Sequence, residues 1–181
     1  MTLSEDRLRE LASVGSGHAA NALGQLLDCT VLMEPPRCYR LEVGHLSEAL
    51  IYEEEWSTAI FVDLSGAVTG RAGLMLTRNV VDGLLDRLVK EHPAEEVSER
   101  GRSALEELGN IALSAAAGAM GDLSGGIVLP SVPRLGLNLS RETLLEELGS
   151  VDDRRPAYLA DTQLVQPDGP LRIRFLWIPD Q

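Results

Sequence analysis

The stretch LRELASVGSGHAANALGQLLDCTVLMEPPR, residues 8–37, recurs 97 positions later as LEELGNIALSAAAGAMGDLSGGIVLPSVPR, residues 105–134. Aligned without gaps, the two stretches are identical at 12 of 30 positions, whereas composition alone would give roughly two or three. Most matched residues are apolar or small, as packing demands. Glu10 and Glu107 are matched carboxylates, which packing does not explain. The chain is therefore interpreted as an internal duplication.

Each copy begins with a long amphipathic helix. Apolar residues recur at helical spacing and predict helices over residues 4–27 and 97–122. Small residues crowd one face of each helix, so the two helices are predicted to pack closely on one another; they are Gly15, Ala19 and Ala22, and Ala112, Ala116 and Ala119. Each helix leads into a short β-prone stretch, and the proline that follows is expected to end regular strand pairing.

The remaining elements also recur in both halves. Short helices are predicted over 45–52 and 141–148, and strand pairs over 58–64 with 73–77 and 157–165 with 171–178. A further amphipathic helix covers 80–89, and segment 94–102 is interpreted as the exposed first turns of the second long helix. The predicted fold class is α+β: two long helices packed on a sheet of about six strands, related by a pseudo-twofold. We expect one domain over 1–181, with repeat 1 at about 4–92 and repeat 2 at about 97–181.

Composition and charge argue against several classes of protein. The 16 Lys and Arg residues against 28 Asp and Glu give a net charge of −12, which repels nucleic-acid backbones and anionic lipid. No stretch approaches the ~20 apolar residues of a membrane-spanning helix, and the N-terminus lacks a signal-peptide pattern, so a cytoplasmic location is expected. Cys29 and Cys38 are interpreted as ordinary thiols. His18, His45 and His92 lack metal-ligand spacing, and no metal site is predicted.

A polar stripe runs along each long helix. In the second copy it consists of Ser103, Glu107 and Asn110, which lie within about 60° of one another on a helical projection. Asp6, Glu10 and Ser13 have the same spacing in the first copy. A surface helix needs a polar face, and on one helix alone these residues would be interpreted as solvated. Repetition of the glutamate and of the downstream proline favours a function, because solvated positions drift freely between copies.

The spacing of these residues resembles the motif of the CheC-type chemotaxis phosphatases, the family of CheC, CheX and FliY. The motif has an acidic residue or Ser, then Glu four positions later, Asn three positions after that, and Pro 23 positions further on. The second copy fits throughout, at Ser103, Glu107, Asn110 and Pro133. The first copy fits at Asp6, Glu10 and Pro36 but has Ser13 where the family has Asn. A single Glu-x-x-Asn is a weak signal, whereas the duplicated long pattern is a specific one.

The resemblance implies an enzyme that hydrolyses the aspartyl phosphate of a CheY-type response regulator and so ends its signal. The regulator would supply the acyl phosphate and Mg²⁺, so no cofactor of the chain's own is expected, and catalysis would be mostly positioning and electrostatics. Asn110 would hold the attacking water in line, and Glu107 would pair with the regulator's lysine. Ser13 is shorter than Asn, so the site of Glu10 and Ser13 is expected to be impaired.

A second class of function stays open at this stage. Some members of the family bind the receptor deamidase CheD or belong to the flagellar switch, so a non-catalytic adaptor is the alternative. Gly15-Ser16-Gly17 lies in mid-helix and is interpreted as a packing feature, not a phosphate-binding loop. Asp63 ends a predicted strand and is interpreted as a turn residue. Because both helices are in one chain, a monomer is expected.

Overall fold

The chain forms three helices and one eight-stranded sheet in the computed structural model, which describes residues 4–41, 56–92, 96–140, 143 and 157–180. The described helices are α1 (Glu5–Leu27), α2 (Arg78–Val89) and α3 (Glu99–Ser124). The strands are β1 (Leu32–Met33), β2 (Arg37–Leu41), β3 (Trp56–Gly66), β4 (Gly70–Thr77), β5 (Val128–Pro130), β6 (Arg134–Gly136), β7 (Ala157–Val165) and β8 (Arg172–Ile178). The short helices predicted over 45–52 and 141–148 lie outside the described residues, apart from position 143.

Serine caps start both long helices. The Ser4 hydroxyl accepts from the Arg7 N–H at 3.2 Å, and the Ser98 hydroxyl accepts from the Gly101 N–H at 3.0 Å, which satisfies donors that a helix start leaves unpaired. Asp28 and Gly125, in the left-handed conformation, follow the two helices. The predicted helix bounds are thus confirmed to within two residues at each end.

The two long helices pack against each other through small residues, as predicted. A Cβ on Gly15 would lie 2.9 Å from the Met120 Sδ, so the glycine lets the Met120 side chain pack directly against α1. Ala19 and Ala116 are buried in the same core. Ser16 is also buried, and its hydroxyl donates to the Ala12 carbonyl at 2.6 Å, so the glycine run is a packing feature of α1.

All strand pairs are antiparallel, in the order β1-β7-β8-β4-β3-β5, with β2 also pairing β7 and β6 also pairing β3. Eight strands therefore occupy six positions, which agrees with the predicted sheet of about six strands. The short strand after each long helix ends at a proline, as expected: β1 ends at Met33, before Pro35, and β5 ends at Pro130. Pairing resumes with β2 directly after Pro36 and with β6 directly after Pro133. A proline removes only its own N–H donor, so a new strand can begin at the residue that follows it.

The two halves of the chain exchange their outer strands. Strands β1 and β2 of the first half pair with β7 of the second, and β5 and β6 of the second half pair with β3 of the first. Arg37 is in register with Asp161, and Arg134 with Phe61. This exchange agrees with an internal duplication, while the pseudo-twofold relation of the whole chain stays a prediction.

The helices cover one face of the sheet. Ile60, Leu74 and Phe175 are buried on that face together with Leu8 of α1 and Leu105 of α3. A second buried cluster on the other face contains Phe61, Met75 and Leu176. Among the described residues, no helix is both long and apolar enough to cross a membrane.

Candidate functional site

The polar stripe of α3 lines a shallow surface groove. Ser103, Glu107 and Asn110 lie on one side, and the segment from Pro130 to Pro133 lies on the other. The groove has a volume of about 460 Å³. All four motif residues of the second copy therefore line one groove, although Asn110 and Pro133 are 23 positions apart in sequence.

The carboxylate and the amide of this groove are available to a partner. Glu107 is exposed, and within the described part of the chain no hydrogen bond or ion pair reaches it. Asn110 is half-buried, and the Ser114 hydroxyl makes one long contact of 3.5 Å with its Oδ1. Both N–H bonds of the Asn110 amide are left without an acceptor among the described residues. The pair can thus offer one negative charge and one amide donor.

A glycine sets the position of Asn110 over the sheet. Gly109 is buried, and a Cβ there would collide with the Ile60 side chain of β3. Since no side chain separates α3 from β3 at this point, the helix lies directly on the strand at the residue before Asn110. The sequence signal was present in the Gly109-Asn110 dipeptide, but nothing in the sequence identified Ile60 as the neighbour.

Asp63 holds the other side of the groove in place. The Ser131 N–H donates to the Asp63 carbonyl at 2.8 Å, and the Asp63 N–H donates to the Ser131 hydroxyl at 2.9 Å. The Asp63 carboxylate also pairs with Arg134 at 2.7 Å and with Arg71 at 2.8 Å. Ser131 and Arg134, which make these contacts with Asp63, lie on either side of Pro133 in the sequence. The interpretation of Asp63 as a turn residue is therefore wrong, because it lies within β3 and anchors the motif proline.

The pKa of Asp63 lies below its ordinary value. The hydrogen bond from Arg134 is the largest cause, partly opposed by burial, and Arg71 lowers the pKa further. The carboxylate therefore stabilises the fold at neutral pH, and this contribution declines as the pH falls from the ordinary value of 3.8 through the lowered one.

Replacing Asp63 by asparagine should loosen the groove. We expect Asp63→Asn to lower the free energy of unfolding by about 1 kcal/mol or less, since the pairs are partly exposed, and to speed amide exchange at Ser131. Wild type should also lose more stability than the variant as the pH falls through the lowered pKa. Thermal melts across pH and amide exchange measure both effects. Asp82→Asn, which removes an exposed pair on α2, is the control, and equal exchange at Ser131 in both variants would contradict the anchoring role.

The matched Pro-Arg pairs of the two copies reach similar partners. Arg37 follows Pro36 and approaches the Asp161 carboxylate at 3.8 Å. Arg174 holds the same buried carboxylate through two bonds of 2.9 and 2.8 Å. Each motif proline is thus followed by an arginine that reaches an aspartate of a central strand. The alignment contained this signal in the Arg37 and Arg134 match, but sequence reasoning assigned it no role.

The first copy of the polar stripe has a different environment. Asp6 and Glu10 are exposed, and Ser13 and Pro36 are half-buried. The Glu10 carboxylate forms an ion pair of 2.7 Å with Arg7. No hydrogen bond joins Ser13 or Pro36 to Glu10 within the described residues. The motif glutamate is therefore already paired in this copy, unlike Glu107.

Among the described residues, the cysteines and histidines do not group into a second site. Cys29 and Cys38 are free, and burial raises the pKa of the Cys38 thiol, an effect that Arg9 partly opposes. His18 and His92 are exposed, and His45 lies outside the described residues. The described part of the chain holds no group of three or more metal-binding side chains.

Two long packed helices on an antiparallel sheet, with a Glu–Asn pair in an open groove, give an α+β fold like that of the CheC-type proteins. The chain is 29% identical over 167 residues to the CheY-P phosphatase CheC of Bacillus subtilis (strain 168), covering 88% of this chain and 78% of that protein. This match and the structural likenesses confirm the resemblance to the CheC-type family. No protein-family model matches the chain.

Solved structures share the fold over nearly the whole length of the chain. FliY of Thermotoga maritima superposes with a TM-score of 0.69 at 17% identity, covering 97% of this chain and 91% of that one. A chain of the CheX–CheY–BeF3–Mg²⁺ complex of Borrelia burgdorferi superposes with a TM-score of 0.60 at 14% identity, covering 98% of each chain. At these identities the likeness shows the fold.

Proposed function

We propose that this chain is a phosphatase that hydrolyses the aspartyl phosphate of a CheY-type response regulator. The observation that carries the proposal is the groove in which Glu107, Asn110 and Pro133 meet, with the glutamate unpaired among the described residues. The curated relative named CheY-P phosphatase supports it at 29% identity. Hydrolysis of an aspartyl phosphate also fits an open groove, because the partner protein would carry the reacting phosphoryl group into it.

In the proposed mechanism the regulator brings the phosphorylated aspartate and its Mg²⁺, and this chain brings two side chains. The Asn110 amide orients a water in line with the phosphorus, and attack of that water breaks the bond between phosphorus and the aspartyl oxygen. Phosphate and the free aspartate are the products. Asn110 need not remove a proton, since phosphoryl transfer depends mainly on positioning and charge. Glu107 pairs with a lysine of the regulator and sets the docking register.

Exposed apolar residues beside the groove support a protein as the partner. Ile127, Leu129 and Val132 are 75%, 60% and 84% exposed, and Val132 lines the groove itself. A cluster of exposed apolar side chains next to a polar site is typical of an interaction surface. The first copy keeps an exposed Leu32 at the position of Leu129 but has Thr30 and Pro35 at the positions of Ile127 and Val132, so two of the three aliphatic side chains belong to the second site alone.

A charge placed on this surface should weaken docking without unfolding the chain. We expect Val132→Asp to raise the KM for the phosphorylated regulator about tenfold, because the partner would bury an unpaired carboxylate, with kcat changed less. Leu32→Asp, at an exposed apolar position of the first copy, is the control and should leave KM near the wild-type value. Equal KM values for wild type and Val132→Asp would contradict docking at this surface.

The experiment that tests the proposed function is direct. The chain is mixed with phosphorylated, Mg²⁺-loaded regulators, and the loss of phosphate is compared with the regulator's own rate. Acceleration of at least one regulator supports the enzyme. Binding without acceleration would favour the alternative, a non-catalytic adaptor for a CheD-type deamidase or a flagellar switch component. Sedimentation of the chain alone tests the expected monomer.

A further inference from the structure

An arginine, as well as Ser13, distinguishes the first copy of the site from the second. The Arg7 guanidinium pairs with the Glu10 carboxylate at 2.7 Å. The same group donates to the Leu123 carbonyl at 3.0 Å and contacts the Ser124 hydroxyl at 3.4 Å. The equivalent position in the second copy is Ala104, so the counterpart of this contact cannot form at Glu107.

Arg7 is held in place by more than its ion pair. The Leu123 carbonyl belongs to the last turn of α3, where helix carbonyls lack intrahelical partners and the helix dipole is negative. The guanidinium therefore satisfies a carbonyl of one long helix and a carboxylate of the other. An exposed ion pair alone would be weak, but the added contacts and the intramolecular attachment give Arg7 an advantage over a lysine arriving from another protein.

The net charge around the two glutamates also favours binding of a cation at the second site and not at the first. Asp6, Arg7, Arg9 and Glu10 carry no net charge, whereas Ser103, Ala104, Glu106 and Glu107 carry two negative charges. A partner that presents a lysine and a divalent cation is attracted to the second set and not to the first. Ser13 accounts for a missing amide, but it does not account for this loss of cation attraction.

We propose that Arg7 takes the place of the partner's cation at Glu10 and closes the first site, which leaves the chain with one working site at Glu107 and Asn110. This inference rests on the proposed function. It has a consequence that Ser13 alone would not have: restoring the amide by Ser13→Asn is insufficient, and removing Arg7 is also required.

The test uses a chain whose second site is disabled. Phosphate loss from the regulator is measured for Asn110→Ala, for Asn110→Ala with Ser13→Asn, and for that pair with Arg7→Ala. The first two should agree within about threefold, and the triple variant should be at least about tenfold faster, because a free glutamate and an amide then meet on α1. Arg172→Ala, which removes an exposed positive charge at the start of β8, replaces Arg7→Ala in the control and should leave the rate low.

Thermal melts identify any variant that is unfolded. A second triple variant carries Arg7→Met in place of Arg7→Ala, because methionine keeps an apolar stem beside α3. If Ser13→Asn alone restores the rate, or if both triple variants fold and stay inactive, Arg7 does not close the site. Titration calorimetry gives a second readout: Ser13→Asn with Arg7→Ala should bind two regulators where wild type binds one. An inactive wild type would overturn the proposed function and this inference together, whereas an active wild type with unresponsive triple variants overturns the inference alone.

Discussion

Replacing Asn110 with alanine is expected to reduce the accelerated loss of phosphate from the regulator by about 10²-fold, since the attacking water would lose the amide that orients it. Binding of the regulator should change little, because Glu107 and the apolar surface are untouched. The helix should remain intact, since alanine has the higher helix propensity. Single-turnover phosphate loss and a binding titration with a beryllofluoride-loaded regulator measure the two quantities separately.

Ser13→Ala is the matched control for Asn110→Ala. Ser13 occupies the equivalent position of α1 and is half-buried like Asn110, so the two substitutions change the two helices alike. We expect Ser13→Ala to leave the rate near the wild-type value. If Ser13→Ala abolished activity while Asn110→Ala remained active, the chemistry would belong to the first copy.

Glu107→Gln should weaken docking and rate together. The substitution keeps the shape of the side chain and removes the charge that faces the partner's lysine, which should lower kcat/KM by about tenfold or more. Rising ionic strength should weaken wild type more than the variant, because salt screens the pair that the variant lacks. The measurement is kcat/KM for the phosphorylated regulator over a range of salt concentrations.

The matched control here is Glu10→Gln. Glu10 is already neutralised by Arg7 at 2.7 Å, so the loss of its charge should change kcat/KM less than twofold. Equal losses for Glu10→Gln and Glu107→Gln would mean that both copies dock the regulator, which contradicts a closed first site. The two glutamates are the acidic pair that survives in both copies, so this comparison tests directly whether the duplicated residue still has a duplicated role.

The sequence by itself determined the features that depend on local periodicity and on spacing. Apolar residues at helical intervals located α1 and α3 to within two residues, and small residues on one face correctly predicted their close packing, which Gly15 and Met120 now show. The motif spacing selected Glu107, Asn110 and Pro133, and these residues do line one groove. Such features follow from neighbours along the chain, so no knowledge of distant contacts was needed.

Only the tertiary structure decided which distant residues meet. The exchange of outer strands between the halves, the contact of Gly109 with Ile60 and the anchoring of Ser131 by Asp63 all join segments that are far apart in sequence. The pairing of Arg7 with Glu10 is local, but its fixation depends on the end of α3, 116 positions away. A carboxylate's partners depend on which surfaces the packed core brings together. For that reason the sequence showed two equivalent glutamates, and only the packing of the helices showed that Arg7, the partner of one of them, is held at the end of α3.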